Sequence, residues 1–120
     1  MTNILHITSR AEWHAAQASG QYVAPSLASE GFIHCSTAEQ VVHVANAFYR
    51  GKRDLILLVL DEAAIKPEVR WEAPAGPPAA GISASDLFPH IYGPLNLGAV
   101  VRVVDLVPDS AGTFSLPPLS

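Results

Sequence analysis

The stretch "DLILLVLD", Asp54 to Asp61, places six consecutive aliphatic residues between two aspartates. Side chains of a strand point alternately to opposite faces, so a run with no polar residue at either set of positions is predicted to be buried on both sides. The chain around it must then supply two apolar layers, one for each face. Its composition allows this: hydrophobic residues make up 49% of the 120 and charged residues 15%, unlike the polar, highly charged composition of disordered chains. A chain of this length makes one domain with a single fold. The same run is far shorter than the roughly 20 apolar residues of a membrane-spanning helix, so no membrane association is expected.

The flanking sequence supplies the rest of an α+β order. Asn3 to Thr8 reads as a strand, and Ser9 with Glu12 forms a capping box that opens a short helix from about Arg10 to Ala18. Gly20 to Glu30, with Pro25, Ser26 and Ser29, reads as a loop. Gly31 to Cys35 is a second strand, after which Ser36 or Thr37 caps a second helix with Glu39 or Gln40 as partner. Val41, Val44, Ala45 and Phe48 form its apolar stripe, which assigns Phe48, with Tyr49, to the core. Gly51 ends that helix, and Arg50, Lys52 and Arg53 beside it are expected to complement the helix dipole.

Further strands are predicted over Val69 to Glu72, Leu87 to Gly93 and Ala99 to Val107, the last two joined by a turn around Pro94 to Gly98. "APAGPPAAGISAS", between the first two of these, reads as a long loop of the kind that covers binding sites. The expected organisation is one domain over residues 1–108 and a flexible tail over residues 109–120.

Several function classes are excluded. With 7 basic against 11 acidic residues the net charge is −4, which offers no field for general nucleic-acid binding. Cys35 is the only cysteine, so neither an intramolecular disulfide nor a cysteine-rich zinc site can form. The opening "MTNILHITSR" lacks the basic and apolar regions of a secretory signal, and a cytoplasmic location is expected. Monomer and dimer are both compatible with this composition.

Three predicted strands each place one histidine in an apolar run: His6, His34 and His90. Alternation puts His6 with Thr8, His34 with Phe32, and His90 with Tyr92, so the three imidazoles can line one cleft. A neutral imidazole both donates and accepts, which suits it to orient a ribose or an amide. His14 and His43 lie on helices among polar neighbours and read as exposed. A metal would need three or four converging ligands, for which His6, His34 and His90 with Glu72 or Asp86 are candidates. The close ligand pairs of zinc sites are absent, however, so no metal is expected. Because neighbouring strand residues point apart, His34 cannot serve Cys35 as a base, and Cys35 reads as a buried, inert thiol.

"LHIT", "EGFIHCST", "VANAFYRGKRDLILLVLD", "VRWE" and "FPHIYGPLNLGAV" together resemble the bacterial proteins grouped as domain of unknown function 952, over about residues 4 to 107. That family is in turn similar to the ADP-ribosyltransferase superfamily, near its RNA 2′-phosphotransferase branch. The resemblance implies a split β-sheet with two short helices and a cleft for NAD, held without metal. It implies that His6 and Thr8 of "HIT" contact a ribose, and that His34 of "GFIHCS" orients the base. The third motif of the superfamily, a strand glutamate, falls to Glu72 or is replaced by His90, with Tyr92 as a pocket wall.

The expected catalytic residues are therefore His34, His90 and Glu72, and the expected cofactor contacts are His6, Thr8, His34 and Tyr92. The implied function is binding of NAD or an ADP-ribosyl compound, with transfer or hydrolysis of the ADP-ribosyl group. A non-catalytic module for a nucleotide or small metabolite, and a histidine-ligated metal hydrolase, are the alternatives.

Overall fold

The computed structural model describes residues 3–119. In chain order its elements are β1 (Asn3–Ser9), α1 (Arg10–Ser19), β2 (Gln21–Tyr22), α2 (Pro25–Ser29), β3 (Ile33–His34), α3 (Ala38–Phe48), β4 (Leu55–Asp61), β5 (Glu68–Glu72), β6 (Phe88–Tyr92), β7 (Leu95–Asn96) and β8 (Val100–Leu106). The fold is α+β, with every strand pair antiparallel. The strands form sheets ordered β1-β4-β8, β3-β6-β5 and β2-β7.

The aliphatic run is the central strand of the first sheet, and its alternation divides the core in two. Leu55, Leu57 and Val59 pack with Leu5, Ile7, Val41, Ala45 and Phe114. Ile56, Leu58 and Leu60 pack on the other face with Ile4, Tyr22, Ile33, Cys35 and Ile91. The β1–β4 register sets His6 opposite Leu58 and Thr8 opposite Ile56, on this second face.

Helix starts follow the local chemistry. The Ser9 hydroxyl accepts the Glu12 N–H at 3.1 Å to cap α1, and Gly20 closes that helix at φ 92°, in the left-handed region. Thr37 caps α3 in a box with Gln40, whose side-chain carbonyl accepts the Thr37 N–H at 3.0 Å.

The structure corrects the sequence expectation at five places. The Gly20 to Glu30 segment is not a plain loop: Tyr22 pairs with Leu95 in the β2–β7 ribbon, and Pro25 starts a third helix where its missing N–H costs nothing. There are thus three helices rather than two. The predicted turn after Gly93 holds β7 and a 3₁₀ turn over Leu97–Ala99. No basic residue lies in the last turn of α3, and Lys52 instead stands 5.8 Å over the Tyr49 ring.

Within the expected tail, one residue is held to the fold. Phe114 is 2% exposed, its carbonyl accepts the Asn46 side-chain N–H, and its own N–H donates to the Asn46 carbonyl oxygen at 2.7 Å. Phe48, expected in the core, is 64% exposed and stands at the cleft.

Two backbone joints connect the first sheet to the third. Leu5 and Ser36 exchange a pair of hydrogen bonds at 2.8 Å, and the Cys35 N–H donates to the Pro89 carbonyl at 3.0 Å. The chain leaving β3 is thereby stitched to β1 on one side and to β6 on the other. The Pro/Ala loop between β5 and β6 rests on α3, where the Gln40 amide donates to the Leu87 carbonyl at 2.8 Å. At Gly81, φ is 88°, in the left-handed region that favours glycine, and an added Cβ would require the His43 imidazole to move.

Candidate functional site

These joints bring β1, β3 and β6 around a cleft of about 730 Å³, a volume typical of small-molecule sites. His6, His34 and His90 all line it. Tyr22, Glu12, Glu30, Phe48 and the Pro/Ala loop complete the wall. Thr8, Glu72 and Tyr92 do not line it.

The three histidines are held in different ways. His6 is inside the protein: its Nδ1–H donates to the His34 carbonyl at 2.5 Å, and Nε2 lies 2.7 Å from the Tyr22 hydroxyl. Only the tautomer with the proton on Nδ1 suits a carbonyl at that distance, which makes Nε2 an acceptor. The Tyr22 proton then serves Nε2, and the Tyr22 and Thr8 hydroxyl oxygens lie 2.9 Å apart. Burial pushes the His6 imidazole down to about 4 despite the His34 carbonyl, so it is neutral at pH 7. Both of its nitrogens are spent on the protein, and it offers a ligand only the edge of its ring.

Tyr22→Phe tests this network. It is expected to cost about 1–3 kcal/mol in urea denaturation, because Nε2 of His6 loses its buried donor. A loss below about 0.5 kcal/mol would show that water or a rearranged Thr8 replaces the phenol.

His34 and His90 face each other directly across the β3–β6 pair, with ring centroids 5.6 Å apart. His34 is half-exposed, and its Nε2–H donates to Glu30, four residues earlier, at 2.8 Å. His90 is 3% exposed, stacks on Phe32 at 4.1 Å, and donates from Nδ1 to Glu72 Oε1 at 2.8 Å. The Tyr92 hydroxyl donates to the same oxygen at 2.5 Å. These bonds, first that of Tyr92 and then that of His90, hold the Glu72 carboxyl below its ordinary value, and the Glu72 bond raises Tyr92 in turn. Glu72 is a fixed anion that orients His90.

Among the described residues, no hydrogen bond involves Nε2 of His90, and every fully buried side-chain nitrogen or oxygen has a partner. That nitrogen therefore touches solvent, and the space it adjoins is the cleft. The carboxylate–imidazole arrangement fixes the tautomer, so that neutral His90 presents Nε2 to a ligand as an acceptor. Arg70, opposite His90 in the β5–β6 register, spreads its guanidinium 4.4 Å from the Tyr92 ring and pairs with Glu68.

Cys35 is buried in the second core cluster, where burial pushes its thiol up, in keeping with an inert side chain. Among the described residues no group of three His, Cys, Asp or Glu could hold a metal ion. No helix among them is long and apolar enough to cross a membrane.

Sequence reasoning did not place Tyr22, Glu30 or Phe48 in the site. Glu30 had a usable signal in its spacing of four from His34, whereas Tyr22 reaches His6 only through the β2–β7 ribbon.

Fold and site together define a small α+β protein with a histidine-lined cleft between two antiparallel sheets. The chain belongs to the family described as Protein of unknown function (DUF952), whose model matches residues 7–103. It is similar to protein CC0527 from Caulobacter crescentus, with 36% identity to its crystal structure over 96% of this chain and 95% of that one, at a TM-score of 0.82. The solution NMR structure of CC0527 aligns over 94% and 91% of the two chains, also at 36% identity, with a TM-score of 0.76. No curated protein matches the chain.

Proposed function

We propose that the cleft binds NAD or an ADP-ribosyl compound and that the chain transfers or hydrolyses the ribosyl bond, in the manner of an ADP-ribosyltransferase-like fold. The observation that carries this reading is the Glu72–His90 pair, with Nε2 of His90 open at the cleft wall beside His34. The β1-β4-β8 and β3-β6-β5 sheets on either side are compatible with the split sheet of that superfamily.

In this reading His34 orients the base. The C1′–N bond breaks with its electron pair leaving on the base nitrogen, and water or an acceptor hydroxyl attacks C1′. Nε2 of His90 takes the attacking group's proton, while the Glu72 anion stabilises the imidazolium formed. His6, Tyr22 and Thr8 brace the wall, with Thr8 acting through Tyr22 rather than on the ligand.

Incubation with NAD is expected to release nicotinamide. His90→Ala and Glu72→Gln should each reduce the rate about 100-fold in protein that is still folded at the assay temperature. A proton–nitrogen NMR titration with NAD should move the imidazole signals of His34 and His90 together to saturation. No movement at millimolar NAD would refute the reading.

A non-catalytic binding module is the second reading. It is favoured by the absence of Glu72 from the cleft wall, which leaves no carboxylate of that strand facing a reacting bond. Saturable binding with no nicotinamide release would select it.

A further inference from the structure

The charges of the cleft and those of a dinucleotide differ in a way that identifies which chemical group is enclosed. Glu12 and Glu30 line the cleft, and among the described residues no lysine or arginine does. Of the histidines, His6 is neutral and hydrogen-bonded at both nitrogens. The rest of the wall is apolar or hydroxylic, including Pro74, Pro77, Phe48 and Phe88. A phosphate entering this space would lose its hydration and find no lysine or arginine to replace it. A delocalised cation would instead meet two carboxylates and aromatic faces.

A second observation is independent of these charges. His90 is 3% exposed, and its Nε2 has no partner among the described residues while adjoining the cleft. With Nδ1–H committed to Glu72, that nitrogen calls for a donor, such as a sugar hydroxyl or a carboxamide N–H.

We propose that the cleft encloses a phosphate-free cationic heteroaromatic N-riboside, with Glu12 and Glu30 complementing its charge and a hydroxyl or amide donating to Nε2 of His90. A phosphate on a larger ligand meets the field of the same two carboxylates and weakens binding. The N-riboside part rests on the ribosyl reading above, and the charge preference rests on the cleft wall alone.

Calorimetric titration of the full chain with nicotinamide riboside, nicotinamide mononucleotide, ADP-ribose and 1-methylnicotinamide separates the two. The riboside is expected to bind about tenfold more tightly than its 5′-phosphate at low salt. Glu12→Gln with Glu30→Gln should bring that ratio within about threefold, since each amide keeps the local hydrogen bond and loses only the charge.

A 5′-phosphate that binds as tightly as the riboside, or ADP-ribose binding where the riboside does not, would overturn the charge preference and leave the ribosyl reading standing. Binding of 1-methylnicotinamide with failure of every riboside would keep the preference for a cation and refute the ribosyl reading. Silence of all four at millimolar concentration would remove both.

Discussion

Between pH 7 and pH 4 the protein is expected to lose about 3 kcal/mol of folding stability through His6 alone. Burial holds this imidazole at about 4 in the fold against 6.5 in the free side chain. Between those values the unfolded chain binds a proton that the folded one refuses, so the unfolded state gains as the pH falls. The His6 contribution is therefore intact above about pH 7, declines as the pH drops through 6.5, and levels off near 4. Urea midpoints at pH 7, 5.5 and 4.5 would measure it against His6→Gln, which keeps a donor and an acceptor but does not titrate. Carboxylates titrate in both proteins and cancel in the difference. Equal losses in the two proteins would show that His6 is not the group responsible.

Leu57→Ala and Leu58→Ala are each expected to cost about 2–5 kcal/mol, although the two residues are neighbours in the chain. Both side chains are fully buried, but Leu57 belongs to the layer against α3 and Leu58 to the layer that supports the cleft. Equal cost on the two faces would follow from close packing on both sides of β4. Equilibrium denaturation measures the loss. A cost below about 1 kcal/mol for either would mean that its layer collapses to fill the gap. Only Leu58→Ala should also disturb the NMR signals of the histidines, because His6 stands opposite Leu58 in the β1–β4 ladder.

What the sequence could reveal was set by how local each cause is. The β4 run, the convergence of His6, His34 and His90 on one cleft, and the caps at Ser9 and Thr37 rest on periods and spacings of a few residues, and each of these is found in the structure. The β2–β7 ribbon is two residues deep on each side and joins Tyr22 to Leu95, which leaves no periodic trace. Phe114 looks like a stray aromatic in a Pro- and Ser-rich end until Asn46, 68 residues away, binds its backbone.

The same distance effect divides the site. That Glu72 stands near His90 was legible as two candidates for one role, but their direct bond depends on the β5–β6 register. His6 was legible as a polar residue on an apolar strand. That its nitrogens are already committed depends on Tyr22 and on the His34 carbonyl, neither of which its neighbours announce.

The Pro/Ala loop leaves the fold immediately after Glu72 and returns immediately before Phe88, and these two residues are partners in the β5–β6 ladder. Its stem is therefore closed by paired backbone, and the loop can be lengthened, shortened or exchanged without shifting the Glu72–His90 contact below it. The roof of the cleft and the carboxylate–imidazole pair are thus separable along the chain. A library confined to residues 73–86 would vary the roof of the cleft while the carboxylate–imidazole pair stays in register.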